Sequence, residues 1–192
     1  MSIINVVGAK IWGGGEQYVY DICKQLQQRH RTAYILVDQS NEDMQSRYAQ
    51  VGHVMTANLY TLKGFLSVNA VAKQMKEQGI NTIVCHSGKY ILFCIALKQL
   101  TGAKLVFIKH NLVPGKTDIY HRWINAQVDA FVCVSKLVYD DLMTPAIKDT
   151  SKYHVVYNGI DPNRFQSFSD AVPMKYKVRT FGYSARITER KG

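Results

Sequence analysis

Short apolar runs alternate with longer runs of helical periodicity along almost the whole chain, and few architectures accept that pattern. The short runs are Ile3 to Val7, Ala33 to Val37, His53 to Thr56, Ile80 to Cys85, Leu105 to Ile108, Ala130 to Val134 and Val155 to Tyr157. Many of their residues are β-branched, stiff at χ1 and suited to a pleated surface. The helical runs between them are Glu16–Arg29, Asp43–Gln50, Phe65–Glu77, Lys89–Leu100, Ile119–Gln127 and Lys136–Met143. Tyr18, Val19, Ile22, Cys23 and Leu26 share one face of the first, and Phe65, Val68, Val71, Ala72 and Met75 one face of the third. Gly79 and Gly102 stand where glycine ends a helix. Apolar strands separated by helices predict a parallel sheet covered on both faces, and right-handed crossovers make it an α/β, Rossmann-like, doubly wound fold.

In such a sheet, ligands bind beyond the carboxyl ends of the strands. The residues there are Gly13-Gly14-Gly15, Asp38, His86-Ser87-Gly88-Lys89, Lys109-His110-Asn111, Ser135-Lys136 and Asn158-Gly159. The glycine turn runs straight into a helix, whose first N–H groups favour anions. It suits a phosphate or a sugar held close to the backbone, and it equally suits a plain turn. It does not match the dinucleotide fingerprint, and Gly88-Lys89 does not match a P-loop. His110 can exchange a proton near neutral pH or hydrogen-bond a sugar hydroxyl, and His86 has the same placement one strand earlier. Both could instead only bond local backbone. Lys89 and His121 read as surface side chains.

Hydrophobic residues make up 47% of the 192, enough for a substantial core. No apolar run reaches the roughly 18–20 residues that span a bilayer. Met1-Ser2-Ile3-Ile4 has no basic region of a signal peptide, so the expected location is cytoplasmic. Cys23, Cys85, Cys94 and Cys133 lie in apolar runs and form no CxxC pair, the pattern of buried, reduced thiols rather than a zinc site. The net charge of +10 favours an anionic partner, unless it serves solubility alone. With Lys104, Lys109, Lys116 and Arg122 taken as one region, it suits peripheral contact with an anionic membrane at the inner face of the plasma membrane. No nucleic-acid-binding motif is present.

Ordered motifs along the chain resemble the GT-B glycosyltransferases, and among them glycosyltransferase family four. Gly13-Gly14-Gly15-Glu16 resembles the family's GGxE turn, and Val134-Ser135-Lys136 its Val-Ser segment. Asn158-Gly159-Ile160-Asp161 with Phe165 is similar to its NGID segment. Phe181 to Gly192 is similar to the start of its second domain, with Ala185 in place of a glycine. The resemblance implies an N-terminal, acceptor-side domain over 1–166, a linker over 167–177 and the opening of a nucleotide-sugar domain over 178–192, beginning with a strand at Val178–Tyr183. It implies transfer of a sugar from a nucleotide-sugar donor to a glycan or lipid-linked acceptor, with retention and without a metal or other cofactor, in surface polysaccharide synthesis. Gly14 and Gly15, with Arg186 and Lys191, would meet the donor diphosphate, and His110 the reacting sugar. His86, Lys109, Asn111 and Ser135 would line the acceptor side of the cleft. Without the remainder of a second domain, these residues alone are expected to be inactive. The competing expectation is a non-catalytic Rossmann-like module that binds a protein partner or an anionic polymer.

Overall fold

The structure, a computed structural model, describes residues 2–60, 64–143, 147 and 149–161, with the side chains of 64 and 65 excepted. The chain parts into two units, Met1–Asn158 and Gly159–Gly192, and the sheet lies in the first. The expected linker, the strand at Val178–Tyr183, Arg186 and Lys191 lie outside the described residues.

The elements follow one another as β1 (Ser2–Val7), α1 (Gly14–Gln28), β2 (Ala33–Asp38), α2 (Glu42–Tyr48), β3 (His53–Ala57), α3 (Gly64–Glu77), β4 (Ile80–Cys85), α4 (Ile91–Thr101), β5 (Lys104–Lys109), α5 (Ile119–Gln127), β6 (Ala130–Cys133), α6 (Lys136–Leu142) and β7 (Tyr153–Val155). A single 3-10 turn, Gly88–Tyr90, leads into α4. All seven strands are parallel, in the order β3-β2-β1-β4-β5-β6-β7. The chain builds outward from β1 through β2 and β3, then crosses to β4 on the other side of β1. The strand order therefore reverses between β1 and β4, and such a reversal opens a crevice at the carboxyl edge. The expected α/β, doubly wound sheet is the observed one.

Alternate residues of each strand face opposite sides of the sheet, and two apolar clusters record this. On one side Val7, Ile35 and Val37 pack against Val19 and Cys23 of α1 and Met44 and Tyr48 of α2. On the other, Ile4, Val6, Ile83, Leu105 and Phe131 pack beneath α3, α4, α5 and α6. All four cysteines are free and buried. Gly79 and Gly102 take positive φ, 63° and 72°, at the ends of α3 and α4, a conformation glycine adopts without a Cβ clash.

Two expectations need correction. The last strand is Tyr153–Val155, not Val155–Tyr157. Pairing with β6 decides this: Phe131 is in register with Tyr153 and their rings stack at 4.6 Å, while Tyr157 is exposed. Lys104 and Lys109 do not share a region. They begin and end β5, so about 3.3 Å per residue puts them roughly 17 Å apart, at opposite edges of the sheet. Lys104 instead pairs with Asp129 at 3.4 Å.

Candidate functional site

Strand order brings together two residues that lie 24 positions apart. β4 and β5 are neighbours, so the residues just past their ends, His86 and His110, meet above the crevice. Nδ1 of His86 lies 3.1 Å from Nε2 of His110. Nε2 of His86 lies 3.1 Å from Oδ1 of Asn5, a buried polar residue in the middle of β1. The Asn5 amide donates in turn to Sγ of Cys23 in α1, at 3.8 Å. Tyr18 of α1 closes the group: its ring meets that of His110 edge-on, with centroids 5.1 Å apart, and that of His86 at 6.2 Å.

Burial and the adjacent His110 ring pull His86 down from 6.5 to about 3. Burial also lowers His110, so both rings are neutral at physiological pH. Burial pushes the Cys23 thiol up to about 12 and keeps it protonated.

One turn before Tyr18, α1 begins. Its N-cap is Gly13, with extended backbone and no side chain to cap the first N–H groups. A Cβ placed on Gly14 or Gly15 would meet nothing within 4 Å, and neither glycine has positive φ. Neither packing nor backbone conformation therefore calls for glycine at these two positions. What their lack of a side chain leaves is open access to backbone N–H groups. Gly8, just past β1, is different: a Cβ there would lie 2.8 Å from the Tyr90 ring and 2.9 Å from the Tyr60 hydroxyl.

The other expected site residues take varied positions. Lys109 is partly buried beside the Phe107 ring, with 5.0 Å from Nζ to the centroid, and burial lowers its pKa. Asn111 is exposed. Ser135 caps α6, its hydroxyl accepting the N–H of Val138 at 3.2 Å. Lys89 is exposed, and His121 pairs with Asp118 at 2.6 Å. The residue that sequence reasoning missed is Asn5. Its signal was available, as a lone polar residue inside the apolar run Ile3 to Val7. Among the described residues no group of three or more metal-ligating side chains converges, and no described helix is long and apolar enough to cross a membrane. A groove of ≈ 470 Å³ lined by His30, Arg31 and His53 lies at the opposite, amino edge of the sheet, away from the crevice.

The family model described as Glycosyltransferase Family 4 matches residues 12–164. The chain belongs to that family. No curated protein matches the sequence. Among solved structures, a glycosyltransferase from Rickettsia africae ESF-5 is similar at 19% identity and a TM-score of 0.73, over 85% of this chain and 44% of that one. Anabaena HepE in complex with UDP and glucose is similar at 19% identity and a TM-score of 0.67, over 88% of this chain and 48% of HepE. MurG of Acinetobacter baumannii is similar at 12% identity and a TM-score of 0.57, over 87% of this chain and 50% of MurG. These likenesses establish a shared Rossmann-like fold of the GT-B type. The chain spans about half the length of the structures it resembles, or less.

Proposed function

We propose that this domain is the acceptor-side wall of a glycosyl-transfer site that takes a nucleotide-sugar donor. The observation that carries the reading is the neutral His86–His110 pair, held by Tyr18 one helical turn above the open Gly14-Gly15 backbone. Gly14 and Gly15 would admit the donor diphosphate or sugar to the N–H groups of α1, where the helix dipole favours negative charge. His110 would bond a hydroxyl of the reacting sugar. HepE carries UDP and glucose in its structure, which supports a UDP-sugar as the donor.

Departure of a nucleoside diphosphate develops negative charge, and fixed cations at that point stabilise the transition state more than the ground state. Arg186 and Lys191 are the proposed cations, so the reading calls for no metal. Retention of anomeric configuration, a glycan or lipid-linked acceptor and a role in surface polysaccharide synthesis complete it. The proposed division is a first domain over 1–166, a linker over 167–177 and a second domain from 178.

α5 and the loop before it lend support to an acceptor at an anionic membrane. Ile119, Tyr120 and Trp123 are exposed there, and so are Lys116 and Arg122. Apolar and aromatic side chains beside cations suit a headgroup layer. Sedimentation with vesicles checks this: retention on phosphatidylserine but not phosphatidylcholine is expected, and equal absence from both overturns it.

The function itself is tested by assaying the full-length protein against a panel of nucleotide-sugars. Turnover of one donor, with a retained anomer by NMR, is expected. His110→Ala and Arg186→Ala should each lower it, and unchanged turnover in both would remove these residues from the site.

A further inference from the structure

Asn5 is buried in β1, and its two polar atoms face different partners. With Nδ2 donating to Cys23 and Oδ1 toward His86, the amide oxygen can only accept. Nε2 of His86 must then carry the proton. A neutral imidazole has one N–H, so Nδ1 of His86 is the acceptor in its bond with His110. Nε2 of His110 must therefore be the donor, which leaves Nδ1 of His110 unprotonated. No described residue hydrogen-bonds that nitrogen.

We infer that Asn5 and His86 are positioning residues that set the tautomer of His110, so that His110 offers the ligand a hydrogen-bond acceptor at Nδ1. This rests on the glycosyl-transfer reading for the identity of the ligand, though not for the tautomers. An unprotonated ring nitrogen accepts from a hydroxyl and repels the lone pairs of phosphate and carboxylate oxygens. The relay thus selects a sugar hydroxyl at His110 and leaves the diphosphate to the glycine turn. Tyr18, edge-on to the His110 ring, holds the orientation that the tautomer requires.

The test is the imidazole nitrogen spectrum of the full-length protein labelled with ¹⁵N-histidine and recorded without substrate. His86→Asn and His110→Asn variants assign the signals. The expected result near pH 7 is that both rings are neutral, each with its proton on Nε2. In Asn5→Ala the His110 signals should shift toward a mixture of tautomers, while Asn5→Asp, which keeps an acceptor at the same place, should restore the Nε2–H form. Donor turnover in Asn5→Ala should fall on the order of tenfold, about one mis-set hydrogen bond, with the smaller change in KM. A proton on Nδ1 of His110 in the unmodified protein overturns the inference, whether or not the variants fold. So does an Asn5→Ala spectrum in which His110 is unchanged. If the spectra are as expected but no nucleotide-sugar is turned over, the relay stands and the glycosyl-transfer reading fails.

Discussion

Asp38, the last residue of β2, and His110, just beyond the end of β5, stand on opposite sides of β1 and meet their polar neighbours differently. One ends and the other follows an apolar strand, both at the carboxyl edge. Asp38 is 6% exposed and fully engaged. One carboxylate oxygen accepts the N–H and the hydroxyl of Ser40, and the other accepts the N–H of Leu59 at 2.9 Å. Burial pushes its pKa up, but these hydrogen bonds and the charge of Lys10 prevail and hold it below its usual value. The carboxylate ties the loops after β2 and β3 together. His110 spends one nitrogen on His86 and keeps the other. The two positions at the carboxyl edge thus differ in whether hydrogen-bonding capacity remains: Asp38 has committed both carboxylate oxygens to the loops, and His110 keeps one ring nitrogen that no described residue engages.

The strongest way to break the comparison is Asp38→Ala. It strands the Leu59 N–H in a buried place and should cost about 3 kcal/mol of stability in denaturant unfolding, which is large for one side chain. A loss below about 0.5 kcal/mol would end the claim that Asp38 is architectural. His110→Ala should behave in the opposite way. In the full-length protein it should lower donor turnover by about 100-fold, within the usual range for a positioned histidine, while stability changes by about 1 kcal/mol or less. A stability loss as large as that of Asp38→Ala would place His110 with the architecture.

A pH titration separates the two halves by window. An unfolded histidine binds a proton near 6.5, whereas His86 in the folded chain resists until about 3. Between these values the unfolded state holds more protons, so stability falls as pH falls. The slope is about 1.4 kcal/mol per pH unit for each proton excluded. Asp38 adds its loss only lower, as pH falls through its depressed folded pKa. Urea unfolding from pH 7 to 4 should show the histidine slope, and His86→Asn should reduce it, leaving the share of His110, whose pKa burial also lowers. The smallest effect is expected at the glycine turn. Gly14→Ala should leave stability unchanged or raise it by up to about 1 kcal/mol, because alanine favours a helix and the added methyl meets nothing. Weaker donor binding without loss of stability would assign Gly14 to the ligand. Gly8→Ala, by contrast, should destabilise by about 1–3 kcal/mol, because its methyl runs into Tyr90 and Tyr60.

The two halves were not equally legible in the sequence. Strand positions followed from β-branched runs, and His86 and His110 were each visible as strand-end residues. Their contact was not, because it depends on β4 lying beside β5, which no local pattern encodes. β7 was misplaced by two residues because Tyr153 to Tyr157 reads as a strand in either frame, and only the stacking of Tyr153 on Phe131 chooses between them. α1 begins at Gly14, ahead of the expected Glu16, because glycine's poor helix propensity hides a backbone that is already helical. Before α4, the Ser87 side chain accepts the N–H of Lys89 and draws the chain into a 3-10 turn where a continuous helix was expected. The lysines of β5 looked clustered because sequence distance conceals the direction of a strand.

Tyr18 gives α1 a mechanical role as well as a structural one. Gly14 and Tyr18 are four residues apart on one hydrogen-bonded helix, about 6 Å along its axis, with no soft joint between them. A pull on the first turn is transmitted as a rigid displacement to the ring that rests against His110. Whatever displaces the first turn of α1 therefore also displaces the ring beside His110, as the two ends of a single short lever built into the first thirty residues of the chain.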